Sequence, residues 1–225
     1  MHYEMRGSPE GRFLVKAQLY RRLVVIWHTI MLCNRNTSTR IGDTMFLRGR
    51  GVIGLIFAAA MLVLPASQAG GQVRSDQWNS MSAKQLESGI EKQHPAAYFI
   101  LAQKLYGEGR RDDATMWFYI GQIRYRAYLI TNPNLNPSGD PAVFSSLFNT
   151  IGPVINGYAF GDIPQLLKII DRALDWDAKN PDAFTPKSAK RDEVRGGLAK
   201  LKLQIAAQQD EIRAQRKKNG LENRN

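Results

Sequence analysis

The chain is 225 residues long, room for one or two domains, with 31 Lys and Arg against 20 Asp and Glu and a formal net charge of +11. Its one cysteine, Cys33, excludes a disulfide within the chain. With three histidines in total, the sequence lacks the ligand sets of His/Cys zinc sites and, unless His94 serves alone, the Cys-His and Ser-His-Asp nucleophile systems.

Residues 1–44 are basic and poorly patterned, and their one apolar run, residues 23–33, is interrupted by His28 and Thr29. From Met45 the pattern changes. Arg48 and Arg50 precede an uncharged apolar run over residues 52–64, Pro65 follows, and Ser67 and Ala69 are small residues spaced for cleavage after Ala69. This layout predicts a signal peptide over 45–69, with translation starting at Met45 and residues 1–44 a misassigned leader or disordered extension. The alternative is a genuine cytoplasmic extension, with residues 52–64 an internal signal or uncleaved anchor. That run is shorter than the roughly 20 residues a membrane span needs, and no cysteine follows it to carry a lipid. The expected product is periplasmic or secreted, with no stable membrane anchor after cleavage.

Export reduces the charge argument. From Gly70 onward 22 Lys and Arg stand against 17 Asp and Glu, a net of +5. Much of the excess lies in residues 213–224, which read as a solvated basic tail. Nucleic acid is therefore not an expected partner.

Residues 70–94 read as a linker and a short capping helix. Ser82 and Gln85 have capping-box spacing, and Leu86 and Ile90 form its apolar stripe. Trp78 is expected to pack beside it as a staple, a lid or a core contact.

Pro95 suits the first turn of a helix. Tyr98, Leu101, Ala102 and Leu105 recur at helical spacing until Gly107-Glu108-Gly109 ends the run. Asp112 and Asp113 then suit the positive end of a second helix, whose inner stripe is Ala114, Trp117, Phe118, Gly121 and Tyr125. So short a turn predicts antiparallel packing. Small residues at Ala102, Ala114 and Gly121 let the two backbones approach, while Leu101, Leu105 and Phe118 fill the space beside them.

On Leu101, Ala102, Leu105, Gly109, Ala114, Phe118 and Gly121, this hairpin resembles a tetratricopeptide repeat and, more loosely, a Sel1-like repeat. It departs from the pattern in lacking its Trp and its closing Pro, Arg126 standing at the latter position.

Residues 131–141, rich in Asn and Pro, read as a loop. Helix resumes near Ala142 with Val143, Phe144, Leu147, Phe148 and Ile151, and Gly152-Pro153 is expected to break or kink it. Pro164 opens another helix over about residues 165–176. Gly161, Leu166, Ile170 and Ala173 repeat, in weaker form, the spacing of Gly109, Ala114, Phe118 and Gly121 at an offset of 52 residues, against a usual period of about 34. Residues 95–184 thus read as two degenerate hairpins.

A stack normally needs about three repeats, so a cap is required. The segment 185–225 supplies one. A long helix is expected from Thr185-Pro186 to about Lys218, its stripe formed by Val194, Leu198, Leu201, Ile205 and Ile212. Gly196-Gly197 weakens it by about 1 kcal/mol per glycine. It is expected to dock on the hairpins, the alternative being a dimerising coiled coil; a monomer or weak dimer follows. The predicted fold is all-α, antiparallel helical hairpins packed with a long C-terminal helix.

The motifs of catalysis are sparse. His94 beside Pro95 reads as a cap or surface residue, Asp171, Asp175 and Asp177 as a solvated face, and the glycines at 107 and 109 lack the context of a phosphate loop. The repeat resemblance implies a non-catalytic protein-binding module without cofactor or metal. Its groove would be the stripe Phe99, Gln103 and Tyr106, flanked by Arg124 and Arg126, unless the C-terminal helix covers it. The partner would be another protein, an envelope component or, since small exported Sel1-like proteins include immunity proteins, a periplasm-acting toxin. A carboxylate-based hydrolase is the reading from a different class.

Overall fold

The computed structural model describes residues 75–225 of the chain, so the readings placed on 1–44, 45–69 and the first residues of the linker lie outside the described residues. These form eight α-helices and no strand: α1 (Ser75–Ser80), α2 (Ala83–Glu87), α3 (Ala96–Gly107), α4 (Arg111–Thr131), α5 (Asp140–Ala159), α6 (Ile163–Lys179), α7 (Ala189–Ala207) and α8 (Gln209–Lys218). The all-α class expected from the sequence is what the chain adopts. Among the described residues no helix is long and apolar enough to cross a membrane.

The local signals act as read at several places. Ser82 and Gln85 close a capping box at the start of α2. Gly109, at φ +83°, ends α3: its N–H donates to the Tyr106 carbonyl and the Arg110 N–H to that of Leu105, the two bonds of a Schellman motif. Trp78 is buried, a core contact whose Nε1 donates to Gln93 Oε1 at 3.1 Å. The glycine at 121 lets α3 and α4 meet, since a Cβ there would stand 2.9 Å from Tyr98 Cβ.

The centre of the molecule is α4. Every residue from Ala114 to Ala127 is buried, because α3, α5, α6 and α7 all pack on it. In a stack of hairpins each unit touches only its sequence neighbours; here four helices close around one. The cost is that Gln122, Arg124 and Arg126 go inside with the aromatic residues and must be satisfied there.

Three expectations are corrected. There is no break at Gly152-Pro153, and α5 continues through it to Ala159. Both Pro153 and Asn149, whose carbonyl loses its helical partner to the proline, are exposed, so water can supply the missing bond while Phe144, Phe148, Ile151 and Ile155 hold the opposite face in the core. The C-terminal segment is two helices: α7 starts at Ala189, capped by the Ser188 hydroxyl, and the chain bends at Gln208 before α8. Thr185 is buried in the preceding turn.

The basic tail is not solvated along its length. Arg216 is buried and donates to the carbonyls of Gly157 and Glu222, while the Arg224 backbone N–H and guanidinium reach the carbonyls of Gly161 and Tyr158. Two arginines thus gather at the carbonyl-rich, negative end of the α5 dipole.

Candidate functional site

The expected groove residues separate. Phe99 is fully buried, its ring edge-on to Phe118 and Phe144 at centroid distances of 5.5 and 6.0 Å, so α5 covers it. Arg124 is 0 % exposed and Arg126 lies beneath the surface over the rings of Phe144 and Phe148. These three cannot line an open groove. The reason is the second layer on α3: both its stripes are buried, one against α4 and the other under α5. Gln103 remains exposed and Tyr106 half-buried.

Around Tyr106 the surface is continuous with residues from three other segments. Its ring meets that of Tyr158 edge-on at 6.1 Å, and the Arg111 guanidinium lies 5.5 Å from one ring and 5.6 Å from the other. On Tyr158 the Arg224 guanidinium sits at 3.8 Å. The Tyr158 hydroxyl donates to Asp112 Oδ1 at 2.9 Å and Gln165 Nε2 donates to Oδ2 at 2.8 Å, which holds the Tyr158 ring from behind. Burial, ahead of that carboxylate, pushes the Tyr158 hydroxyl pKa up. The spacing of Gln103 and Tyr106 exposed this face in the sequence. Tyr158 and Arg224, brought in from distant segments, carried no signal of it.

A second constellation looks catalytic by composition and is used up by the fold. His94 Nδ1 accepts the Ala96 N–H at 3.2 Å, capping α3, and Nε2 faces Asp140 Oδ1 at 3.1 Å. The tautomer that satisfies both is neutral, with its proton on Nε2. Tyr125 also donates to Asp140, and the rings of Trp78, Tyr125, Tyr128 and Phe184 surround the imidazole. Neither ring nitrogen is left for a substrate unless the cap opens. The sequence reading of His94 as a cap holds, but the residue is largely buried.

Desolvation drives the His94 pKa below its ordinary 6.5, with Asp140 opposing. Between the folded pKa and 6.5 the unfolded chain binds the extra proton. Stability from this group is therefore complete above 6.5 and falls as pH drops below it. In His94→Asn, which keeps an acceptor near Ala96, the urea midpoint should lose the part of its decline that begins just below pH 6.5. Parallel midpoint-against-pH curves for the two proteins would show that the imidazole is not responsible.

The third cluster is inside. Asp177 Oδ1 accepts from Arg124 Nε at 3.0 Å and from Arg191 Nη2 at 2.9 Å, and Arg195 Nε lies 3.3 Å from Oδ2. Arg124 also donates to the Tyr98 hydroxyl and the Asn180 carbonyl and lies 4.7 Å from the Trp176 ring. Asp177 was expected on a solvated face with Asp171 and Asp175. Those two are exposed, whereas Asp177 is 0 % exposed, four residues beyond Ala173 on the buried stripe of α6. The cluster ties α3, α4, α6 and α7 together, with its charges directed at one another.

No metal-holding group of three His, Cys, Asp or Glu occurs among the described residues. The fold and surface together define an all-α protein built around one enclosed helix, with an arginine-tyrosine face at one end. Over 102 residues the chain is 29% identical to an uncharacterised protein of Haemophilus influenzae, a stretch covering 44% of this chain and 39% of that protein. The match thus spans well under two thirds of the relative. No family model matches the chain, and no solved structure matches it significantly.

Proposed function

We propose that the protein is a non-catalytic protein-binding module acting outside the cytoplasm, and that its contact face is centred on Gln103 and Tyr106. The observation that carries the reading is the Tyr106–Arg111–Tyr158 array, in which an exposed guanidinium lies beside two aromatic rings that meet edge-on. Tyr and Arg, with Trp, are enriched among the residues that anchor protein interfaces, since they bury much area and keep polar groups to pair. The inner polar clusters support the same reading from the other side: His94, Asp140 and Asp177 are each bound to neighbours in the fold. The extracytoplasmic placement rests on the signal-like layout of residues 45–69.

Photocrosslinking in the native host tests this. A photoreactive residue at position 103 should give a discrete adduct with one protein, whereas the same residue at Leu203, 68% exposed on α7, should not. Tyr106→Ala should reduce the adduct from position 103 several-fold. Equal adducts from 103 and 203, or none from 103, would defeat the assignment.

A further inference from the structure

We infer that the face at Tyr106 recognises carboxylates, its occupant being an acidic segment of the partner protein; this rests on the binding-module reading above and specifies the chemistry of its contact. The observation is a mismatch in how the local charges are spent. Both oxygens of Asp112 are taken, by the Tyr158 hydroxyl and Gln165. Asp113 is taken by Arg110 and Arg172, at 2.9 and 3.2 Å. Arg110 is itself shared with Glu87 at 3.0 Å. Arg111 is different. It is exposed, and among the described residues its guanidinium has ring contacts with Tyr106 and Tyr158 and no carboxylate or carbonyl partner.

Contact with the rings is made without using the N–H groups of the guanidinium, so those donors stay free. The planar fork of a free guanidinium matches a carboxylate in bidentate fashion. Arg224 adds a second positive charge across the Tyr158 ring, with one Nη donating to the Tyr158 carbonyl.

A phosphate or nucleic-acid backbone would use the same fork, and one feature favours a carboxylate side chain. The ring walls offer apolar surface suited to the methylenes of Glu or Asp.

The test uses the full-length protein and a fluorescein-labelled Glu/Asp-rich peptide, with its Gln/Asn counterpart and a single-stranded oligonucleotide as the other arms. Anisotropy should rise with the acidic peptide and not with the amide peptide, and the binding should weaken with salt. Arg111→Gln should weaken it about tenfold, the loss of one charge-assisted pair. Arg110→Gln, which removes an arginine already paired within the fold, should change it less than about twofold. Because Arg111 is exposed, an unchanged thermal transition in Arg111→Gln is the check that the fold is intact. Equal binding of the acidic and amide peptides, equal loss in the two arginine variants, or tighter binding of the oligonucleotide through Arg111 would overturn the assignment. Crosslinks from position 103 that persist while the acidic peptide fails to bind would sink the carboxylate chemistry alone; loss of both would sink the binding reading with it.

Discussion

Asp177→Ala should lower the free energy of unfolding by about 3–5 kcal/mol, the range for removing one member of a buried ion pair. The loss comes from what is left behind: Arg124, 0 % exposed, and Arg191, 3% exposed, would each keep a charge in the interior without the carboxylate that now faces them. Chemical denaturation of wild type and variant measures it directly. Asp175→Ala, two residues earlier on the same helix, removes a partner of Lys179 in a pair where both side chains are more than half exposed, and should cost less than about 1 kcal/mol. Similar losses in the two variants would mean that the cluster around Asp177 does not hold α6 and α7 to the central helix.

Gly121→Val should cost about 3 kcal/mol, at the upper end of the range for overpacking. Even a bare Cβ at 121 would stand 2.9 Å from Tyr98 Cβ and 3.1 Å from the Phe99 ring. Tyr98 Cβ is fixed to the α3 backbone, so relief requires α3 to move away from α4. That movement would also draw the Tyr98 hydroxyl from Arg124 Nη1, now at 2.6 Å, so the strain passes into the buried charge cluster. The gain in helix propensity on leaving glycine is about 0.5 kcal/mol and does not offset this. Gly157→Ala gives the contrast: beyond the backbone of its own helix and its chain neighbours nothing lies within 4 Å of its added Cβ, and the same helix preference should then stabilise by about 0.5–1 kcal/mol. Urea transitions that shift alike in both variants would refute the close approach at Gly121.

Part of the charge cluster carries a local sequence signal, which the solvated-face expectation for Asp177 passes over. Asp177 follows Ala173 by four residues on the stripe that includes Leu166 and Ile170, and Arg191 precedes Val194 by three on the stripe of α7. Arg124 stands three residues beyond Gly121, again on an inner stripe. Charged residues in register with a core stripe are a signal of burial, since such burial requires a partner. Which charge pairs with which was not legible, because Arg124 and Asp177 are 53 residues apart and belong to helices whose relative placement depends on everything packed between them.

The arginine-tyrosine face divides similarly. Gln103 and Tyr106 could be placed on an outer stripe of α3 from spacing alone, and they are at the surface. Phe99 shares that spacing and is buried, since α5 lies over the N-terminal part of α3 with Phe144 against it. Helical periodicity separates the sides of one helix but does not tell which sides will receive a second neighbour.

Local chemistry in the chain was sufficient for the all-α class, the capping box at Ser82, the turn at Gly109 and the close contact at Gly121, because each depends on residues a few positions apart or on the size of one side chain. The enclosure of α4, the continuity of α5 across Pro153, the return of Arg216 and Arg224 to the end of α5, and the pairing of Asp177 with Arg124 and Arg191 required the assembled molecule. Each balances the desolvation of a polar group or a lost backbone bond against contacts from distant segments, and that balance exists only when those segments are in place.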